Sequence, residues 1–130
     1  MAIYGIGAFY GTNDVSQDFI DNEVSCIGWT NEEAPSLYNI MRQIKVGDIV
    51  YIKSFNPKSG LFIKAVGIVT DNNIQDMKAI GLGHGIKTRW LWTGSKNIVE
   101  LHDKYNVKNN TLYEEYDVQI QRLVIDLMTV

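Results

Sequence analysis

The chain has one cysteine, two prolines and two histidines in 130 residues. A single thiol, Cys26, cannot form an internal disulfide, so a reducing, cytoplasmic setting is the expectation. One cysteine with His84 and His102 gives no metal-ligand spacing, and no metal or cofactor is expected. Cys26 with His84 could act as a nucleophile pair only by an accident of folding. No apolar run approaches the roughly 20 residues a membrane helix needs, so no membrane partner is expected. Met1-Ala2-Ile3-Tyr4-Gly5 carries no basic stretch and no cleavage-like site, and no signal peptide is read there.

A basic excess is also lacking. Lys and Arg number 12 against 15 Asp and Glu, for a net charge of -3. That excludes a chain that binds nucleic acid by bulk positive charge. The distribution is uneven. Residues 1–41 hold six acidic side chains and no Lys or Arg. Residues 42–64 hold five cations against Asp48, and residues 78–108 hold six against Glu100 and Asp103. If the two middle segments fold together they form a basic face suited to a phosphate-bearing partner; otherwise the charges alternate and cancel.

What is present is core material. Hydrophobic residues are 45% of the chain, enough for one globular domain over 1–130 and against disorder. Ile3–Tyr10 reads as a strand ending at Gly11, followed by a turn at Thr12-Asn13-Asp14. Val15–Asn22 reads as about one helical turn and Val24–Trp29 as a strand. Pro35 opens a helix to about Gln43, with Leu37, Ile40, Met41 and Ile44 on one face. Gly47-Asp48 turns into a buried strand, Ile49–Phe55, which returns through Asn56–Gly60 as Leu61–Val69. Ile74–Ala79 reads as a short helix and Gly81–Gly85 as a flexible connection. Ile86–Trp92 is a strand with Trp90 and Trp92 on one face, and Ile98–Leu101 another. Thr111 with Glu114 fits a capping box, placing the last helix start there, with Glu114-Glu115 as a charge pair at its N-terminus and Val118–Leu127 its best stretch. About six strands and two or three short helices predict an α+β fold, a small mixed β-barrel with short peripheral helices.

The run Ile44-Lys45-Val46-Gly47-Asp48-Ile49-Val50-Tyr51-Ile52-Lys53, followed by Ala65-Val66-Gly67-Ile68-Val69-Thr70, resembles the PUA-like superfamily and, within it, EVE-type domains. Cys26-Ile27-Gly28-Trp29 is similar to the glycine–tryptophan approach to the first helix there. The similarity covers roughly residues 24–70. It implies a pseudo-barrel with an aromatic pocket. Relatives of that kind bind RNA or modified DNA bases, and several act in bacterial restriction and phage defence. The acidic balance departs from the basic surface expected of such readers.

Tyr10, Trp29, Phe55, Trp90 and Trp92 are the aromatics nearest an opening. Stacking a base on an aromatic ring is worth about 1–3 kcal/mol. Lys53, Ser54, Thr30 and Asn13 are the polar groups able to orient a base. Each has a plainer role: core packing for Trp90 or Trp92, strand-end solvation for Lys53, Ser54 and Thr30, an Asx turn for Asn13. Gly81-Leu82-Gly83-His84-Gly85 has the glycines of a phosphate loop but lacks the Lys-Ser/Thr of a P-loop. The expectation is a non-enzymatic domain with a pocket of Trp29, Phe55 and Trp90. Its partner is nucleic acid carrying a modified base, or a small signalling nucleotide sequestered in phage–host conflict. A small nucleotide hydrolase, and a protein-interaction domain using the acidic 1–41 segment, are the alternatives.

Overall fold

A computed structural model describes residues 1–98 and 109–129. The elements run β1 (Ile3–Gly7), β2 (Phe9–Tyr10), β3 (Asn13–Asp14), α1 (Ser16–Asn22), β4 (Val24–Ile27), α2 (Pro35–Gln43), β5 (Ile49–Asn56), β6 (Gly60–Asp76), β7 (His84–Ile98), β8 (Leu112–Glu114) and α3 (Val118–Met128), with a 3-10 turn at Lys78–Ile80. The class is mixed α+β. Six strands form one sheet in the order β4-β7-β6-β5-β1-β8, and β2-β3 form a separate two-stranded ribbon. The sheet curls into a half-barrel and does not close, so β4 and β8 remain edges.

Strand β5 sits between β6, antiparallel to it, and β1, parallel to it. Its first five residues are all buried. That burial explains the unbroken apolar run Ile49–Ile52, since a strand covered on both faces has no solvent side to make polar. The side chains divide between two cores. Val50 and Ile52 join Tyr4, Ile6, Phe19, Tyr38 and Met41 on the face covered by α1 and α2. Ile49 and Tyr51 join Ile63, Val66, Tyr113, Ile120 and Val124 on the face covered by α3.

The turn into β5 is built from two residues. Gly47 has a φ of 93°, where a side chain is strained. Buried Asp48 accepts from Ala2 N (3.0 Å) through one oxygen and from Lys45 N (2.9 Å) through the other. The start of β1 is thereby tied to the start of β5, the two strands that must pair in parallel.

Helix α2 begins with Pro at its first turn, as expected; of its predicted face Met41 and Ile44 are buried and Leu37 and Ile40 half-buried. The β5–β6 hairpin also forms as expected. Other expectations are corrected. The first strand breaks after Gly7, because Gly7 N donates to Thr111 O (2.8 Å) and Val15 N to Ala8 O (2.7 Å), turning Phe9–Tyr10 away into the ribbon. Residues 74–76 are not helical; β6 runs to Asp76, paired with the start of β7 through register shifts that break the alternation. Ile86–Trp92 and Ile98 belong to one continuous strand, β7; 99–101 lie outside the described residues. Trp90 and Trp92 do not share a face. Gly67 pairs with Trp90 and Val66 with Trp92, a shift that sends Trp90 to the first core and Trp92 to the second.

Thr111–Glu114 does not cap α3. Leu112–Glu114 pairs with β1, because Leu112 and Tyr113 each fill a core. Asp117 is the cap, its Oδ1 accepting from Gln119 N (2.9 Å) and Ile120 N (3.3 Å). Glu115 is not a solvated partner of Glu114. It is buried, accepting from Tyr51 Oη (2.5 Å) and Asp117 N (3.1 Å). Among the described residues no helix is long and apolar enough to cross a membrane.

Tyr51 and Tyr113 meet edge to face at 6.4 Å, and their hydroxyls bond at 2.8 Å. They approach because Gly5 has no side chain: a Cβ there would lie 2.6 Å from the Tyr113 ring and 2.8 Å from the Tyr51 ring. Gly5→Ala should therefore destabilise the fold by about 1–3 kcal/mol. Urea unfolding reads this as a lower midpoint; an unchanged midpoint would contradict the packing described.

Candidate functional site

Three segments converge beyond the end of β1: the ribbon β2–β3, the stretch Gly28–Glu33 that leads into α2, and the turn 109–111 ahead of β8. Between them lies a recess of about 280 Å³, lined by Phe9, Tyr10, Gly11, Gly28, Trp29 and Thr111, with Glu33. A cavity of about 430 Å³ adjoins it, sharing Phe9 and Thr111 and adding Gly7, Lys53, Ser54 and Phe55. A third depression of about 560 Å³ shares Trp29, Glu33 and Thr111 and continues along Leu37 and Ile40 of α2. The three adjoin one another through these shared residues and are called the groove below.

Its two prominent aromatics are out of the core. Phe9 is 49% and Trp29 51% exposed. Both rings stand beside the concavity. Each is nevertheless held. The Trp29 carbonyl accepts from Tyr38 Oη (2.8 Å), a largely buried side chain of α2. Since Tyr38 gives its one proton to Trp29, His84 Nδ1 is the donor to Tyr38 Oη (3.0 Å). Thr30 and Glu33 close the turn reciprocally: Thr30 N donates to Glu33 Oε1 (2.9 Å) and Glu33 N to Thr30 Oγ1 (3.2 Å). These bonds to Thr30 hold the Glu33 carboxyl below its ordinary range. Phe9 carries Lys64 over its ring at 4.7 Å, and Lys64 in turn bonds Asp14 (2.7 Å).

Tyr10 forms a wall. Its ring lies against Gly28, where a Cβ would come within 3.2 Å of it, and its hydroxyl donates to Leu82 O (2.8 Å). Lys53 enters the groove from β5. It is only 7% exposed, its ammonium 5.6 Å from the Tyr113 ring centre. Burial pulls its pKa down to about 8. Ser54 and Phe55 follow it along the same cavity.

Of the residues singled out by sequence, Tyr10, Trp29, Lys53, Ser54 and Phe55 thus line one groove. Trp90 lies apart, its Nε1 donating to Phe19 O (3.0 Å) on α1. Asn13 is exposed in β3, and Thr30 is engaged in the turn with Glu33. Cys26 is fully buried and its thiol is pushed up to about 12 by burial, so it holds no thiolate at neutral pH. Phe9, Glu33 and Thr111 were missed. The signal for Phe9 was available: Tyr4, Ile6 and Ala8 fill one core by alternation, so Phe9 falls out of phase just before the Gly11 turn.

A family model described as a domain of unknown function, DUF8426, matches residues 30–115, more than half of the chain. The chain belongs to the DUF8426 family. The DUF8426 match covers α2, β5, β6, β7 and β8, includes Glu33 and Lys53, and begins one residue after Trp29. No curated protein matches the chain. Among the described residues no cluster of His, Cys, Asp and Glu is able to hold a metal ion.

Lys53 makes a measurable prediction. The unfolded chain keeps its proton up to the ordinary 10.5, the folded protein only to about 8. Between those values the unfolded state binds more protons, so this residue makes stability rise with pH. The stability of wild type relative to Lys53→Met should increase from about pH 8 to about pH 10.5. Chemical denaturation across that range checks it; a flat or falling difference would show that Lys53 is not desolvated.

Proposed function

We propose that this DUF8426 protein is a non-enzymatic binding domain that holds a nucleobase in the groove between Phe9 and Trp29. The leading form of the reading is recognition of a modified base in DNA or RNA. The observation that carries it is the pair of half-exposed rings beside a recess with few charged groups. A flipped or free base offers two π-faces to such rings and hydrogen-bonding edges to the polar groups around them. The curled half-barrel sheet and the Gly47-Asp48 turn into β5 support an affinity with PUA-like and EVE-type domains, whose members bind bases in pockets of this sort.

A second version, sequestration of a small signalling nucleotide, has its own support. The groove's one lining cation among the described residues is Lys53, which is buried, and nearby Lys64 is bonded to Asp14. A long phosphate backbone finds no track of solvated cations there.

Thermal denaturation with free nucleotides and with short oligonucleotides, plain and modified, separates the versions. A ligand at a hundred times its Kd adds about 2.7 kcal/mol. A shift with modified oligonucleotides supports base reading, a shift with free nucleotides alone supports sequestration, and no shift with either contradicts both. Trp29→Ala should weaken binding by more than about 1 kcal/mol. Its unliganded melting temperature should stay close to wild type, because the ring is half exposed.

A further inference from the structure

We propose that the groove takes a nucleotide whose base carries an exocyclic amino group, with that group at Glu33 and the 5′-phosphate at Lys53. The proposal rests on the base-binding reading and gives it a substrate class and an orientation. The two adjoining cavities share Phe9 and Thr111. Lys53 lines the first and Glu33 the second, so the groove carries opposite charges in its two compartments, with Phe9 common to both and Trp29 in the second. A ligand that fills both meets a cation, then aromatic rings, then a carboxylate.

Each compartment has the chemistry for its part. Lys53, Ser54 and Asn56, which carry an ammonium, a hydroxyl and an amide, line one cavity. Asn56 commits its oxygen to Lys58 N–H (2.8 Å), which leaves its NH₂ as donor. Donors on that side suit a phosphate, and an ammonium in a largely desolvated setting acts more strongly than one in water. Glu33 uses Oε1 to hold the Thr30 amide, while Oε2 has no bond among the described residues. A carboxylate only accepts, so it binds the amino group of cytosine, adenine or guanine and opposes the exocyclic carbonyl oxygen that replaces it on going from cytosine to uracil or from adenine to hypoxanthine.

Calorimetric titration of cytidine, CMP, uridine and UMP into wild type, Lys53→Met and Glu33→Gln tests both halves. In wild type CMP should bind about tenfold or more tighter than cytidine, and cytidine about tenfold tighter than uridine. Lys53→Met should bring CMP to within about twofold of cytidine, and Glu33→Gln should remove the preference over uridine. If Lys53→Met does not fold, the salt dependence of wild-type binding serves instead: CMP affinity should fall with added salt while cytidine affinity stays level. Equal affinity for cytidine and CMP, with binding still weakened in Trp29→Ala, would overturn the phosphate assignment and leave the base reading standing. Equal affinity for CMP and UMP would overturn the role of Glu33. No binding of any of the four would overturn the orientation; a thermal shift with modified oligonucleotides would then leave the base reading standing, and its absence would overturn that reading as well.

Discussion

The burial of β5 on both faces is the constraint from which the rest of this structure follows. Ile49 and Tyr51 point to one core, Val50 and Ile52 to the other. A strand with no solvent face must be covered twice, so α2 with α1 lies on one side and α3 on the other. Such a strand also tolerates no slip in register, since a shift of one residue would exchange the two sets. The register is pinned at its start by Asp48, which bonds Ala2 N and Lys45 N, and at Tyr51 by the hydroxyl chain from Tyr113 through Tyr51 to Glu115. Because Tyr51 donates to Glu115, Tyr113 is the donor to Tyr51.

The groove is a consequence of where that order stops. Strand β1 accompanies β5 only as far as the Gly7–Lys53 pair. Beyond it β1 turns into the ribbon, and Phe9 leaves the alternation that had placed Tyr4, Ile6 and Ala8 in the core. Lys53 occupies the last pair, late enough in β5 to reach the opening and early enough to stay buried. On the other side α2 presents Tyr38, whose hydroxyl fixes the backbone of Trp29 and leaves its indole outside. Rigid elements thus hold the backbone or walls of each exposed ring.

The sequence made the local, strongly patterned parts legible. Pro35 and the Leu37-Ile40-Met41-Ile44 face gave α2, and Gly47-Asp48 before four apolar residues gave β5. Five of the eight residues proposed for a site line two adjoining cavities, because Trp29, Phe55 and Tyr10 lie where strands or turns end. What was not legible depends on partners distant in the chain. The T-x-x-E pattern occurs at Thr30–Glu33 and at Thr111–Glu114; only the first closes a turn, since the second is claimed by β1. The split of Trp90 from Trp92 depends on the shifted pairing opposite Val66 and Gly67, which no two-residue period reveals. Glu33 is exposed, and only its turn with Thr30 sets it beside Trp29.

The central claim is that a base is held at Trp29, and the three tryptophans allow it to be watched directly. Each indole N–H gives its own signal in a proton–nitrogen correlation spectrum. Trp90 is bonded to Phe19 O and Trp92 packs on the α3 side, both away from the groove. Titration with CMP or with a short oligonucleotide carrying a modified base should move the Trp29 indole signal and leave those of Trp90 and Trp92 in place. A fixed Trp29 signal, with no change or with movement confined to the other two, would contradict the account.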